Sequence, residues 1–260
     1  MRHSTDKVGG FGTQGSVRRL DSVFLGRDCQ LLPEMLRFYA HAGACVLDCT
    51  ANKRRMWKGV QIDPSPVFMD IDPSVSPDVV GDFREMPFSN GSFDVIVFDP
   101  PHITHGGSTR SAERHNASIV RAFGLTNAGS AYNISGFFEP FLREARRVLR
   151  PDGLVFAKLK DNVHNHASQW ILAHWINAVW ACEGLTPCDL IVKRDPSAGM
   201  VDPKWKTAHH ARNVHCWWAV VRKGRCERSR SSSARAAPPR TPLPLASGVS
   251  AASETEGENR

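Results

Sequence analysis

The chain has 260 residues, 41% of them apolar, enough for one α/β domain of ordinary size with appendages and too few for two full domains. No run of about 18 apolar residues occurs and no signal-peptide core opens the sequence, so a soluble, cytoplasmic protein without a membrane partner is expected. A formal net charge of +7 and a pI near 9.2 favour a polyanionic partner, with much of the excess lying between Arg222 and Arg240.

Residues 1–20 carry glycines without periodicity and are expected to be a flexible leader. Residues 31–40 read as an amphipathic helix, with Pro33 in its first turn and Leu32, Met35, Leu36 and Tyr39 on one face. Residues 43–48 form a short buried strand that ends on Asp48. The loop after it, residues 49–59, has no glycine before its last position. Within it only Ala51, which is small, and Asn52, which tolerates the left-handed region, let the backbone approach a ligand closely. Residues 67–72 make the second strand, again ending in acid. Asp70 and Asp72 share one side of an extended chain, and in dinucleotide-type folds a carboxylate here accepts ribose hydroxyl hydrogens. Residues 77–88 supply a third strand and its loop, in which Asp82 by itself reads as a turn or N-cap carboxylate.

The fourth strand, residues 93–98, is apolar apart from Asp94 and suits burial on both faces at the centre of a parallel sheet. It must stop at Asp99-Pro100-Pro101-His102, because two prolines remove two backbone donors and fix two φ angles. A carboxylate and a carbonyl that no helix can claim are left side by side at the edge where open α/β sheets bind ligands. Two such acceptors suit an amino group with two hydrogens to donate.

Residues 103–136 are polar and glycine-rich, and their place just past this turn suits covering or selecting a substrate. A helix over 137–149, a turn at Pro151-Asp152-Gly153 and a fifth strand over 154–159 follow. Residues 161–166 are expected as an exposed loop on the ligand edge. Residues 170–182 form a helix whose three tryptophans read as core. Strands over 185–192 and 215–221 flank a basic, aromatic insertion at 203–212 suited to phosphate contact and stacking. The seven cysteines form no C-x-x-C pair, which fits reduced thiols. No metal is expected: His209, His210, His215 and Cys216 lack the second half of a zinc motif, and His164 and His166 lack a third ligand. The domain is therefore set at 21–223, followed by a disordered basic tail over 224–260 that is rich in Ser, Arg and Pro.

Asp99-Pro100-Pro101-His102 resembles the Asp/Asn-Pro-Pro-aromatic motif of class I S-adenosylmethionine-dependent methyltransferases that act on exocyclic amino nitrogens of bases. His102 stands where Tyr, Phe or Trp is usual. Residues 87–94 and the phrase Arg-Val-Leu-Arg-Pro-Asp-Gly-Leu at 147–154 are similar to the same family, while the loop at 49–59 departs from its glycine-rich pattern. The resemblance implies an α/β, Rossmann-like fold with a mostly parallel seven-stranded sheet, an antiparallel last strand between the fifth and sixth, and helices on both faces. It implies that Asp99 and the Pro100 carbonyl hold the amino group within a turn stiffened by Pro101, and that His102 stacks on the base. S-adenosylmethionine would be held by Asp48, Thr50, Ala51 and Asn52, by Asp70 at the ribose with Asp72 in reserve, by Asp82 and Phe83 at the adenine, and by Asp99 beside the transferring methyl.

The implied reaction is direct methyl transfer to a base of a nucleic-acid partner, DNA favoured over RNA, without metal or covalent intermediate. No cysteine follows Pro100, which argues against carbon-5 pyrimidine chemistry. A small-molecule amine methyltransferase stays open, since about 30 residues between Asp-Pro-Pro and the next helix leave no room for a large recognition domain. So does a non-catalytic nucleic-acid-binding protein with a degenerate cofactor site, which Lys53-Arg54-Arg55 favours.

Overall fold

The computed structural model describes residues 19–100, 134–164, 167–196 and 213–224. Strand β5 (Phe93–Phe98) lies at its centre. Phe93, Ile96 and Phe98 enter one core while Val95 and Val97 enter the other, as a strand covered on both faces requires. Beside it run β2 (Val46–Asp48) and β6 (Leu149–Leu159), both parallel to it. Beyond β2 come β3 (Val67–Asp70) and the two-residue β4 (Val79–Val80), also parallel. Beyond β6 lies β10 (His215–Lys223), antiparallel both to β6 and to β9 (Leu185–Arg194).

Outside β9, β1 (Val23–Leu25) adds one more parallel strand. The sheet order is thus β1-β9-β10-β6-β5-β2-β3-β4, a Rossmann-like α/β arrangement. The expected count of seven strands is corrected to eight among the described residues. β1 escapes a reading of periodicity because it is three residues long and two of them are exposed.

Helices cover both faces. On one, α1 (Asp28–Tyr39) buries Leu31, Leu32, Met35 and Leu36 against Val95, Val97, Phe156 and Trp218. On the other, α2 (Phe138–Val148) and α3 (Ile171–Ala181) bury Phe138, Phe141, Trp175 and Val179 against Ile96, Phe98 and Val155. Phe98 stacks on Phe141 with ring centroids 3.7 Å apart; burying a side chain of this size contributes about 1.5–3 kcal/mol.

Three further expectations change. Of the three tryptophans read as core, Trp175 is buried, but Trp170 and Trp180 are 64% and 77% exposed. Ile171, Trp175 and Val179 form the i, i+4, i+8 row that faces the sheet, and the other two lie off it. The residues after Asp161 are not a plain loop: β7 (Asn162–His164) and β8 (Ala167–Gln169) pair as an antiparallel hairpin. β6 starts at Leu149 and runs through the expected turn, with Asp152 at φ 62° and a register shift against β5. Gly153 is needed there, since a Cβ would come within 2.9 Å of the Arg150 carbonyl oxygen. Among the described residues no helix is long and apolar enough to cross a membrane.

Candidate active site

β2, β3 and β5 run parallel, so their carboxyl ends share one edge, and each delivers an acid there: Asp48, Asp70 and Asp99. The loop from Cys49 to Gly59 folds back over this edge. Asp48 is wholly buried. Its Oδ1 accepts from the Thr50 N–H at 3.1 Å and its Oδ2 from the Trp57 indole N–H at 2.7 Å. Burial pushes its carboxyl up to about 7 against these two hydrogen bonds, and the nearby charges of Asp99 and Asp70 push the same way. Asp48 therefore organises the loop from inside, through a tryptophan that the sequence reading passed over.

Thr50 accepts the Asp99 N–H on its hydroxyl oxygen at 2.8 Å, tying the loop to the end of β5. Ala51 donates to the Met69 carbonyl at 3.0 Å and accepts from the Arg54 N–H at 2.8 Å. Asn52 donates its N–H to Asp70 Oδ2 at 2.7 Å, and Asp72 donates to Asp70 Oδ1 at 3.0 Å. Burial raises the carboxyl of Asp70, and these backbone donors offset part of that rise. Asn52 and Arg54 take φ of 45° and 51°, so the loop adopts a glycine-like path without glycine, at some cost in strain. Arg54 does not reach outward. Its guanidinium lies 4.2 Å from the centre of the Phe68 ring and bonds the Ser76 carbonyl at 2.8 Å, while Lys53, Arg55 and Lys58 are exposed.

Asp72, the reserve for Asp70, accepts from the Ser74 N–H and caps a short turn. Asp82 accepts from the backbone N–H and the guanidinium of Arg84 at 2.8 and 2.9 Å, a local clasp close to its reading as a turn carboxylate. Phe83 is a core side chain, edge-on to Phe98 at 5.2 Å and to Phe141 at 6.1 Å. Pro100 is buried. Pro101, His102, the loop that follows them, His166, the insertion at 203–212 and the tail from Arg225 lie outside the described residues.

One group in contact with Asp99 has no place in the sequence reading. Lys158 of β6 donates to Asp99 Oδ2 at 3.0 Å and stands 3.2 Å from Asp28 Oδ2 at the start of α1. Asp28 is also bound by Lys193 at 3.1 Å and by the Trp218 indole at 3.1 Å. Burial works against the Lys158 charge, but Asp99 and Asp28 outweigh it and hold the ammonium above the ordinary lysine range. The available signal was a lysine inside an apolar strand. Among the described residues no group of three side chains could hold a metal ion.

No protein-family model matches the chain, and no curated protein matches it in sequence. Solved structures do resemble it at a distance. TrmN from Thermus thermophilus is 16% identical over 75% of this chain and 48% of its own, with a TM-score of 0.47, so the chain spans about half of that protein. A SAM-dependent methyltransferase from Methanosarcina mazei is 9% identical over 73% of this chain and 97% of its own, TM-score 0.45. The 1,6-didemethyltoxoflavin-N1-methyltransferase of Burkholderia thailandensis, solved with S-adenosylhomocysteine, is 14% identical over 76% and 77%, TM-score 0.44.

Proposed function

We propose that the protein is an S-adenosylmethionine-dependent methyltransferase acting on an exocyclic amino nitrogen of a base in nucleic acid, DNA before RNA. The observation that carries this reading is the hydrogen bond from the Asp99 N–H to the Thr50 hydroxyl oxygen at 2.8 Å. It joins the acceptor suited to an amine directly to the loop suited to the cofactor, so both would be fixed at one point. That is the geometry a direct transfer needs.

The residues present fit the cofactor. Asp48, Asp70 and Asp99 put three carboxyl groups on one edge, and the mutual repulsion felt at Asp48 would be relieved by a ligand bearing sulfonium and ammonium charges. A carboxylate offers about four acceptor positions. Asp70 gives part of this to the backbone donors of Asn52, Asp72 and Ile71, which leaves capacity for a ribose hydroxyl. Asn52 supplies the left-handed residue that the family's glycine provides.

When bound, S-adenosylmethionine would supply an electrophilic methyl for the amine lone pair, with the broken C–S bond's electrons kept on sulfur and the amine's proton released to water. Asp99 accepts a hydrogen from the amine, favours its pyramidal form and stabilises the positive charge that develops on nitrogen. Thr50 holds the Asp99 backbone during this, and Asp48 with Trp57 holds the loop. A base in duplex DNA would have to leave the stack to reach the site.

The test is incubation with methyl-labelled S-adenosylmethionine and, separately, single-stranded DNA, RNA and small amines, followed by mass spectrometry of the nucleosides. Label on the amino group of a base in DNA or RNA is expected. Transfer to small amines alone would favour the small-molecule reading, and no cofactor binding at millimolar concentration would favour a degenerate site.

A further inference from the structure

We infer that Lys158 is a positioning residue for the target amine: its ammonium fixes the carboxylate of Asp99 in one orientation and keeps it an acceptor, and Asp28 holds Lys158 in place for this. The inference rests on the role given to Asp99 above.

The placement of Lys158 is unusual for a lysine. Along β6, Leu154 and Phe156 join the core on the α1 side while Val155, Ala157 and Leu159 join the other. By alternation Lys158 occupies the next place in the α1-side row, and only 18% of its side chain is exposed. A lysine so placed is tolerated only if paired. The charges say with what. Asp28 already has Lys193 at 3.1 Å and the Trp218 indole at 3.1 Å. A structural ion pair would close on Asp28 and Lys193 alone, and Lys158 would then be a surplus cation. Adding Asp99, 3.0 Å away, makes the set neutral, with acids and bases alternating as Lys193, Asp28, Lys158 and Asp99. Lys158 thus answers to Asp99 more than to Asp28.

The consequence for chemistry is preorganisation. Asp99 lies just past the last residue of β5 and next to two prolines, and a carboxylate there must be held before the amine arrives if it is to stabilise charge without reorganising. An ammonium bonded to one oxygen does this. The contact Lys158 makes is with the Asp99 carboxylate, so its effect on the amine is exerted through Asp99.

The test compares full-length wild type, Lys158→Met, Lys158→Arg, Asp99→Asn and the double variant Lys158→Met/Asp99→Asn, using methyl-labelled S-adenosylmethionine and single-stranded DNA, with cofactor affinity measured in parallel. Lys158→Met should lower kcat at least about tenfold with cofactor affinity within about twofold of wild type, and Lys158→Arg should recover part of the loss. In the Asp99→Asn background, where no carboxylate is left to position, the same change should alter kcat by less than about twofold. Equal losses in both backgrounds, or a wild-type rate for Lys158→Met, would overturn the inference. If Lys158→Met does not fold, Asp28→Asn loosens Lys158 from its other side and is judged by the same comparison of backgrounds. Should the wild type transfer nothing, the proposed function fails first and the inference with it; transfer by wild type with additive losses removes the inference alone.

Discussion

Both oxygens of Asp48 are committed inside the protein, to Thr50 and Trp57, and its carboxyl is pushed up to about 7 chiefly by burial. A carboxyl whose pKa is higher folded than unfolded holds its proton more tightly in the folded state. Its contribution is then complete below about pH 4 and is lost as pH rises toward about 7, at up to about 1.4 kcal/mol per pH unit. Asp48→Asn cannot ionise, so its Tm relative to wild type should climb between about pH 4 and about pH 7 and level off above that; a constant difference across that range would contradict the assignment. The strand-end acids were legible because a buried strand that stops on a carboxylate is a local pattern. Their partners were not. Trp57 lies nine residues from Asp48 and Lys158 fifty-nine from Asp99, and only the closing of the loop and the pairing of β5 with β6 bring them together. Phe83, given an adenine contact by the family resemblance, has its ring packed against Phe98, Phe137 and Phe141, partners that no local pattern announces.

At the scale of elements, α2 fastens the segment that leads into β5. Arg147 donates to the Phe88 carbonyl at 2.6 Å, to the Met86 carbonyl at 2.8 Å and to Glu144 at 2.7 Å, while Glu144 accepts the Met86 N–H at 2.8 Å. Burial resists the Glu144 charge, yet these donors bring its carboxyl below the usual range. Arg147→Ala strands two part-buried carbonyls and a carboxylate and should cost about 2–4 kcal/mol, measured by denaturant unfolding. Arg37 pairs with Glu34 at the same 2.7 Å on the open face of α1, but Arg37→Ala should cost less than about 1 kcal/mol because water competes for both groups. Equal costs would show that the clip around Met86 is no more than a surface pair. Apolar periodicity made α1, α2 and α3 readable to within a few residues. It failed where the signal is short or polar: β1 is mostly exposed, β4 has two residues, and β7 and β8 form a hairpin with no apolar alternation.

For the molecule as a whole, regular spacing of acid-ended strands was enough to anticipate an α/β sheet with acids gathered at the carboxyl ends of its parallel strands. What the sequence could not supply was the charge arrangement across that edge, where Asp28 from the first helix, Lys158 and Lys193 from separate strands and Asp99 from the centre meet within hydrogen-bond range. The proposed methyl transfer depends on that assembly, and turnover by variants of Asp99 tests it most directly. With saturating methyl-labelled cofactor and nucleic acid, Asp99→Asn should retain partial activity because the amide oxygen can still accept from the amine. Asp99→Ala should lose at least about a hundredfold in kcat, the size expected for one transition-state hydrogen-bonding group, with cofactor affinity little changed in either. Methyl transfer by Asp99→Ala at the wild-type rate would contradict the account, and would reduce Asp-Pro-Pro to a stiff end for a strand.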